Sequence, residues 1–170
     1  KKYKSLVMLT LGTGVGSGIV FNGKLFEGNL GAGVELGHEV IKIGGEKCTC
    51  GRKGCLEAYA SATALIRQAQ KAMDGDKESL LWKLSDGNKE NVNGKIVFDA
   101  LREDDKTAGK VVKKYTEYLA AGVTNVINAF HPQAIVLGGG ICAAGDVFLT
   151  PLKRKVNRQI YGGTKFAPVE

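Results

Sequence analysis

The residues with the most distinctive chemistry lie close together in the chain. They are His38, Cys48, Cys50 and Cys55, in the pattern His-x9-Cys-x-Cys-x4-Cys. Three thiolates and one imidazole make a closed tetrahedral site for zinc. Soft sulfur ligands select zinc over magnesium or calcium. Thr49 and residues 51–54 are small or polar, so the loop can wrap tightly round an ion. Lys47, Arg52 and Lys53 flank the thiols, offset the negative charge of a zinc trithiolate and favour deprotonated cysteines. Free surface thiols are the competing reading, but thiols clustered this tightly oxidise easily. A redox pair fits less well, because the spacing is not Cys-x-x-Cys. Cys142, beside a run of glycines, reads as a small packing residue. His131, just before Pro132, reads as a helix-end cap. The segment from 38 to 55 is therefore expected to bind one structural zinc.

Two glycine elements come next. Leu9 to Gly18, LTLGTGVGSG, places a tight turn at Gly12-Thr13-Gly14 between two strands. Glycines let backbone N–H groups approach an anion, and Thr10 and Thr13 add hydroxyls. The turn lacks the Gly-Lys-Ser/Thr of a P-loop and the strand-to-helix context of a dinucleotide fingerprint. By itself it serves equally as a plain hairpin. Gly138-Gly139-Gly140 follows an apolar strand, where ligands of α/β sheets gather. Close helix–strand packing is its bland alternative. Together the two elements suggest a split nucleotide site.

These elements need a scaffold. Residues 4–11 read as a strand, residues 16–21 as its return, and Asn22-Gly23 as a hairpin turn into a third strand at 24–26. Residues 27–37 form a glycine-rich loop, and 39–43 read as another short strand. Helical spacing covers 56–73, with Ser61 as a possible break, and also 77–85 and 95–103. A long amphipathic helix at 107–130 ends before Pro132. A buried strand at 133–137, a helix at 147–161 and the start of a strand at 166–170 complete the pattern. This is an α/β domain with a mixed sheet.

The 170 residues suit one domain. No apolar run can cross a bilayer, and the opening Lys1-Lys2-Tyr3-Lys4 lacks a signal-peptide pattern, so the chain reads as cytoplasmic with no membrane partner. The net charge of +7 is scattered along the chain. It reads as solvation, not as a nucleic-acid surface, and a mild positive field suits a phosphorylated ligand.

Four segments resemble the ROK family of bacterial sugar kinases and sugar-responsive repressors. They are LTLGTGVGSGIV at 9–20, GAGVELGHEVI at 31–41, CTCGRKGCLEAYAS at 48–61 and AIVLGGGI at 134–141. The resemblance implies an actin-like, ribonuclease-H-like ATPase fold. In it, residues 1–170 form the larger C-terminal domain of a two-domain protein, cut at both ends. It also implies that Thr10, Gly12, Thr13 and Gly14 face the ATP phosphates and that Gly138, Gly139 and Gly140 lie near the adenosine. Glu35, His38 and Glu57 match sugar-contacting positions. Carboxylates and an imidazole suit sugar hydroxyls, because charge-assisted hydrogen bonds are the stronger kind.

The implied reaction is ATP-dependent phosphorylation of a hexose, with glucose leading, Mg2+ accompanying ATP and zinc as a structural ion. A homodimer is the implied assembly. The family's aspartate base and its Asp-x-Gly-x-Thr phosphate loop have no counterpart in residues 1–170. No catalytic residue is therefore expected in this segment, and the segment alone is expected to be inactive. The alternative is the effector-binding domain of a sugar-responsive repressor.

Overall fold

The computed structural model describes residues 3–163 and 169–170. Strand β1 (Leu6–Leu11) pairs antiparallel with β2 (Val15–Phe21), and β2 pairs antiparallel with β3 (Lys24–Phe26). Strand β4 (Ala134–Gly138) joins β1 in parallel, giving the order β3-β2-β1-β4 among the described residues. The two-residue turn works as its sequence suggests: Asn22 and Gly23 both have positive φ, 50° and 79°.

Alternation along β1 sends Val7, Leu9 and Leu11 inward, and their partners Ile19 and Val15 join them in the core. The long helix α5 (Lys106–Phe130) supplies Tyr115, Leu119, Val123 and Val126 to the same cluster. Around it pack α1 (Glu57–Ala60), α2 (Ala62–Asp74), α4 (Gly94–Arg102) and α6 (Asp146–Gln159), while the short α3 (Leu80–Leu84) packs on α4 and α2. No helix of the described residues is long and apolar enough to cross a membrane.

Local chemistry sets the helix boundaries. Ser61 does divide the 56–73 segment: its extended backbone ends α1, and its hydroxyl accepts the Ala64 N–H at 3.0 Å to cap α2. Asn93 and Asp105 cap α4 and α5 in the same way. His131 closes α5 in a left-handed conformation, with its N–H on the Ile127 carbonyl. The expected strand at 39–43 is not formed; only Val40 makes an isolated bridge, to Cys55. The loop hydrogen-bonds to residues 54–56 in place of a strand partner. Of the expected strand at 166–170, residues 166–168 lie outside the described residues. Glu170 donates to the Gln133 carbonyl at 3.1 Å and accepts from the Ile135 N–H at 2.8 Å, the alternation of a parallel ladder on the outer edge of β4.

Ser61 is buried and holds the junction between α1 and α2. Replacing Ser61 with Ala should lower unfolding stability by about 1 kcal/mol in urea titration, the usual cost of a lost N-cap.

Candidate sugar and nucleotide site with a metal centre

The turn after β1 is closed by its own backbone. Gly12 N–H donates to the Gly14 carbonyl at 3.0 Å, and the Gly12 carbonyl accepts from Ala62 N–H at 2.8 Å, which ties the turn to the start of α2. The next amide, Val15 N–H, donates 3.0 Å to Glu57 Oε2. A Cβ at Gly14 would lie 2.3 Å from that oxygen, so any other residue there would push the Glu57 carboxylate aside. Among the described residues, no group takes the N–H of Thr13 or Gly14, so both are open to an anion.

The second glycine element reaches the same end of the sheet, because β4 runs parallel to β1. Thr10 pairs with Gly16 on one side and Gly138 on the other. Gly139 adopts φ +98° and presses its backbone on the end of β1, where a Cβ would sit 2.3 Å from the Leu11 carbonyl oxygen. Thr10 and Gly138 are therefore neighbours and Gly139 lies on Leu11, which brings the ends of the two glycine elements, Gly12–Gly14 and Gly138–Gly140, to one end of the sheet.

Helix α1 opens at Glu57 directly after the cysteine loop. Its carboxylate joins that loop to the turn: Oε2 takes the Val15 N–H, and Oε1 accepts the Thr49 hydroxyl at 2.9 Å. Cys48 Sγ lies 3.6 Å from the same Oε1. Burial alone would raise the Glu57 carboxyl, but the Val15, Thr49 and Cys48 hydrogen bonds outweigh it and hold the pKa below the usual value. Glu57 is therefore ionised at neutral pH. Sequence reasoning did not single out Thr49 or the Val15 amide. Nothing in the Cys-Thr-Cys spacing signals which side chain will face Glu57.

His38, Cys48, Cys50 and Cys55 offer donor atoms that all lie within 4.8 Å of one another. Cys50 and Cys55 Sγ are 3.7 Å apart, and Cys48 Sγ is 3.5 Å from His38 Nδ1. A tetrahedral zinc with ordinary Zn–S and Zn–N bonds needs about 3.8 Å and about 3.6 Å on those edges. The four residues therefore fit a metal ion. The loop also has more order of its own than its composition suggests. Lys47 bridges Lys53, Cys48 N–H donates to the Arg52 carbonyl, and Cys48 and Cys55 pack with Ala58 and Tyr59. Tyr59 Oη accepts the Glu46 N–H at 2.6 Å.

The thiols differ. The Arg52 backbone hydrogen bond holds exposed Cys50 below the ordinary thiol value. Burial pushes Cys55 up to about 12. A cation is the natural means of ionising a buried thiol. Burial likewise raises Cys142, which sits apart from the cluster in the 3-10 segment Gly140–Ala144, consistent with a packing role.

Glu35 and His38 bracket a 3-10 turn, Leu36–His38, that lies against β2. Gly37 allows the contact: a Cβ there would meet the Val15 carbonyl oxygen at 2.1 Å. The 3-10 turn and α1 both meet Val15, and the cysteine loop is joined to it through the Glu57 carboxylate.

The sequence profile of the ROK family matches residues 1–170. This chain belongs to the ROK family. A glucokinase from Thermotoga maritima is 42% identical over 151 residues, covering 89% of this chain and 47% of that protein. A xylose repressor from Bacillus spizizenii is 30% identical, covering 95% of this chain and 38% of the repressor. The ROK family glucokinase from Streptomyces griseus, solved with glucose and AMPPNP, superimposes with a TM-score of 0.91 at 32% identity, over 99% of this chain and 55% of the enzyme. The fold is that of the actin-like ATPase sugar kinases of this family. The chain spans about half the length of the curated relatives it matches.

The buried Cys55 thiol would make metal uptake by this cluster pH-dependent. Zinc must displace its proton at neutral pH, so apparent zinc affinity should fall as pH falls, by about tenfold per pH unit for each proton displaced. Calorimetry in buffers of different ionisation enthalpy measures the proton count. Replacing Cys50 with Ser should abolish stoichiometric zinc; metal content unchanged at one ion per chain would contradict the four-ligand site.

Proposed function

We propose that this chain is the larger C-terminal domain of an ATP-dependent hexose kinase, with glucose as the leading substrate. The observation that carries the reading is the Glu57 bridge, in which one carboxylate touches both the glycine turn and the loop beside the metal cluster. A kinase needs its acceptor sugar held against the phosphate it receives, and proximity of this kind is most of phosphoryl-transfer catalysis. The glucokinase relatives and the glucose and AMPPNP bound by the Streptomyces griseus enzyme support it.

On this reading, Glu35, His38 and Glu57 hydrogen-bond hydroxyls of one sugar ring. Glu57 can serve both purposes, since each carboxylate oxygen accepts more than one bond. His38 turns Nδ1 toward Cys48 and leaves Nε2 for the sugar. Zinc, held by His38, Cys48, Cys50 and Cys55, supplies structural order and a fixed His38 ring. The Thr13 and Gly14 amides and the Thr10 and Thr13 hydroxyls receive phosphate oxygens, with Mg2+ accompanying the nucleotide. Gly138, Gly139 and Gly140 leave room for the adenosine. The base that deprotonates the sugar hydroxyl comes from outside residues 1–170, and the working protein is a homodimer.

A second reading follows from the xylose repressors, which match nearly the whole chain. In it the same sugar wall senses an effector, and the phosphate turn has no substrate.

Two measurements test the kinase reading. In the full-length protein, Glu57→Gln should weaken glucose binding about tenfold while zinc content stays unchanged, since a charge-assisted acceptor becomes a neutral one. Residues 1–170 alone should show no ATP-dependent glucose phosphorylation in a coupled assay; turnover by that segment would place the base within it.

A further inference from the structure

We propose that Ser17 is a positioning residue: its hydroxyl holds Val34 in a left-handed backbone conformation and so fixes Glu35 at the sugar site. The inference rests on the hexose-binding reading above.

Val34 has φ +69°. A β-branched residue avoids that region, because its side chain crowds its own backbone. Such a conformation persists only where the surroundings impose it, and it often marks a functional position. The surroundings here are the core, on which the Val34 side chain packs, and one hydroxyl that holds the backbone. Ser17 stands on β2 opposite Leu9. Its Oγ donates to the Val34 carbonyl and accepts the Leu36 N–H at 3.1 Å. The two bonds bracket Glu35, one on the residue before it and one on the residue after it.

The rest of the segment is held from the downstream side. The Glu35 carbonyl accepts the His38 N–H at 3.0 Å, and Gly37 lies flat on Val15. Upstream, Gly28 and Gly31 both have positive φ, 72° and 70°, and the loop closes on itself through the Gly33 N–H on the Glu27 carbonyl at 3.0 Å, a bond that stops short of Val34. Ser17 is thus the side chain that hydrogen-bonds the backbone on either side of Glu35 to the sheet, beside the packing of Val34 on the core. Alanine at that position offers neither bond. Val34 would then relax to a negative φ and rotate the Val34–Glu35 peptide, carrying the Glu35 carboxylate away from the sugar.

The test is a double-mutant cycle in the full-length protein, with glucose binding read by calorimetry. Ser17→Ala should weaken glucose about tenfold, with zinc content unchanged. Val34→Gly removes the backbone conflict, since glycine adopts positive φ freely. In that background, Ser17→Ala should cost less than about threefold. Affinity within twofold of the unsubstituted protein for Ser17→Ala, or an equal loss in both backgrounds, would overturn the proposal. Amide exchange at Leu36 gives a readout that needs no sugar. Ser17→Ala should accelerate it about tenfold, and unchanged exchange would overturn the clamp. Failure of the unsubstituted protein to bind glucose would instead overturn the hexose reading, and the Leu36 arm would still decide on the clamp.

Discussion

The Glu57 carboxylate occupies the point where the glycine turn and the cysteine loop meet. It accepts the Val15 amide on one oxygen and the Thr49 hydroxyl on the other. Burial works against its charge, and the hydrogen bonds offset that cost, so the group stays ionised where it is partly shielded. An ionised carboxylate in such surroundings binds its donors strongly. The turn therefore has a fixed relation to the loop, and through the loop to the four candidate metal ligands. Ala62 N–H fixes the other side of the turn through the Gly12 carbonyl. Helix α1 is only four residues long, yet it begins with the carboxylate and is followed by the Ser61 cap that starts α2.

Close backbone approach is the second constraint. Gly14 admits the Glu57 carboxylate, Gly37 lies on the Val15 carbonyl, and Gly139 presses on the Leu11 carbonyl. A methyl group at any of these positions would enter occupied space. These glycines serve packing, not looseness: each brings a loop or a strand end into direct contact with β1, β2 or α1. The parallel pairing of β4 with β1 then places Gly138 and Thr10 side by side, which joins two glycine elements more than a hundred residues apart in the chain.

Glucokinases and xylose repressors match the same residues. Fold alone does not separate the two activities. The proposed distinction lies in the phosphate side, where the Thr13 and Gly14 amides are open and Thr10 and Thr13 present hydroxyls.

Much of this was legible in the sequence for local reasons. The cysteine spacing predicts a metal cluster because soft ligands at short intervals have few other uses, and the four side chains do converge. Asn22-Gly23 predicts its hairpin, and Ser61 its helix break, because each acts within a few residues of itself. The strand expected at 39–43 failed because its hydrogen bonds go to residues 54–56, and no local pattern records a partner that far away. The positive φ of Val34 was equally invisible, since valine argues against it, and the serine that bonds its carbonyl lies seventeen residues earlier. The sequence by itself determined which residues can bind metal, turn the chain and line the core, because those are properties of side chains and short spacings. Only the tertiary structure decided that Thr49 and Val15 share Glu57 and that Ser17 grips both sides of Glu35, because those bonds depend on how distant segments pack against one sheet.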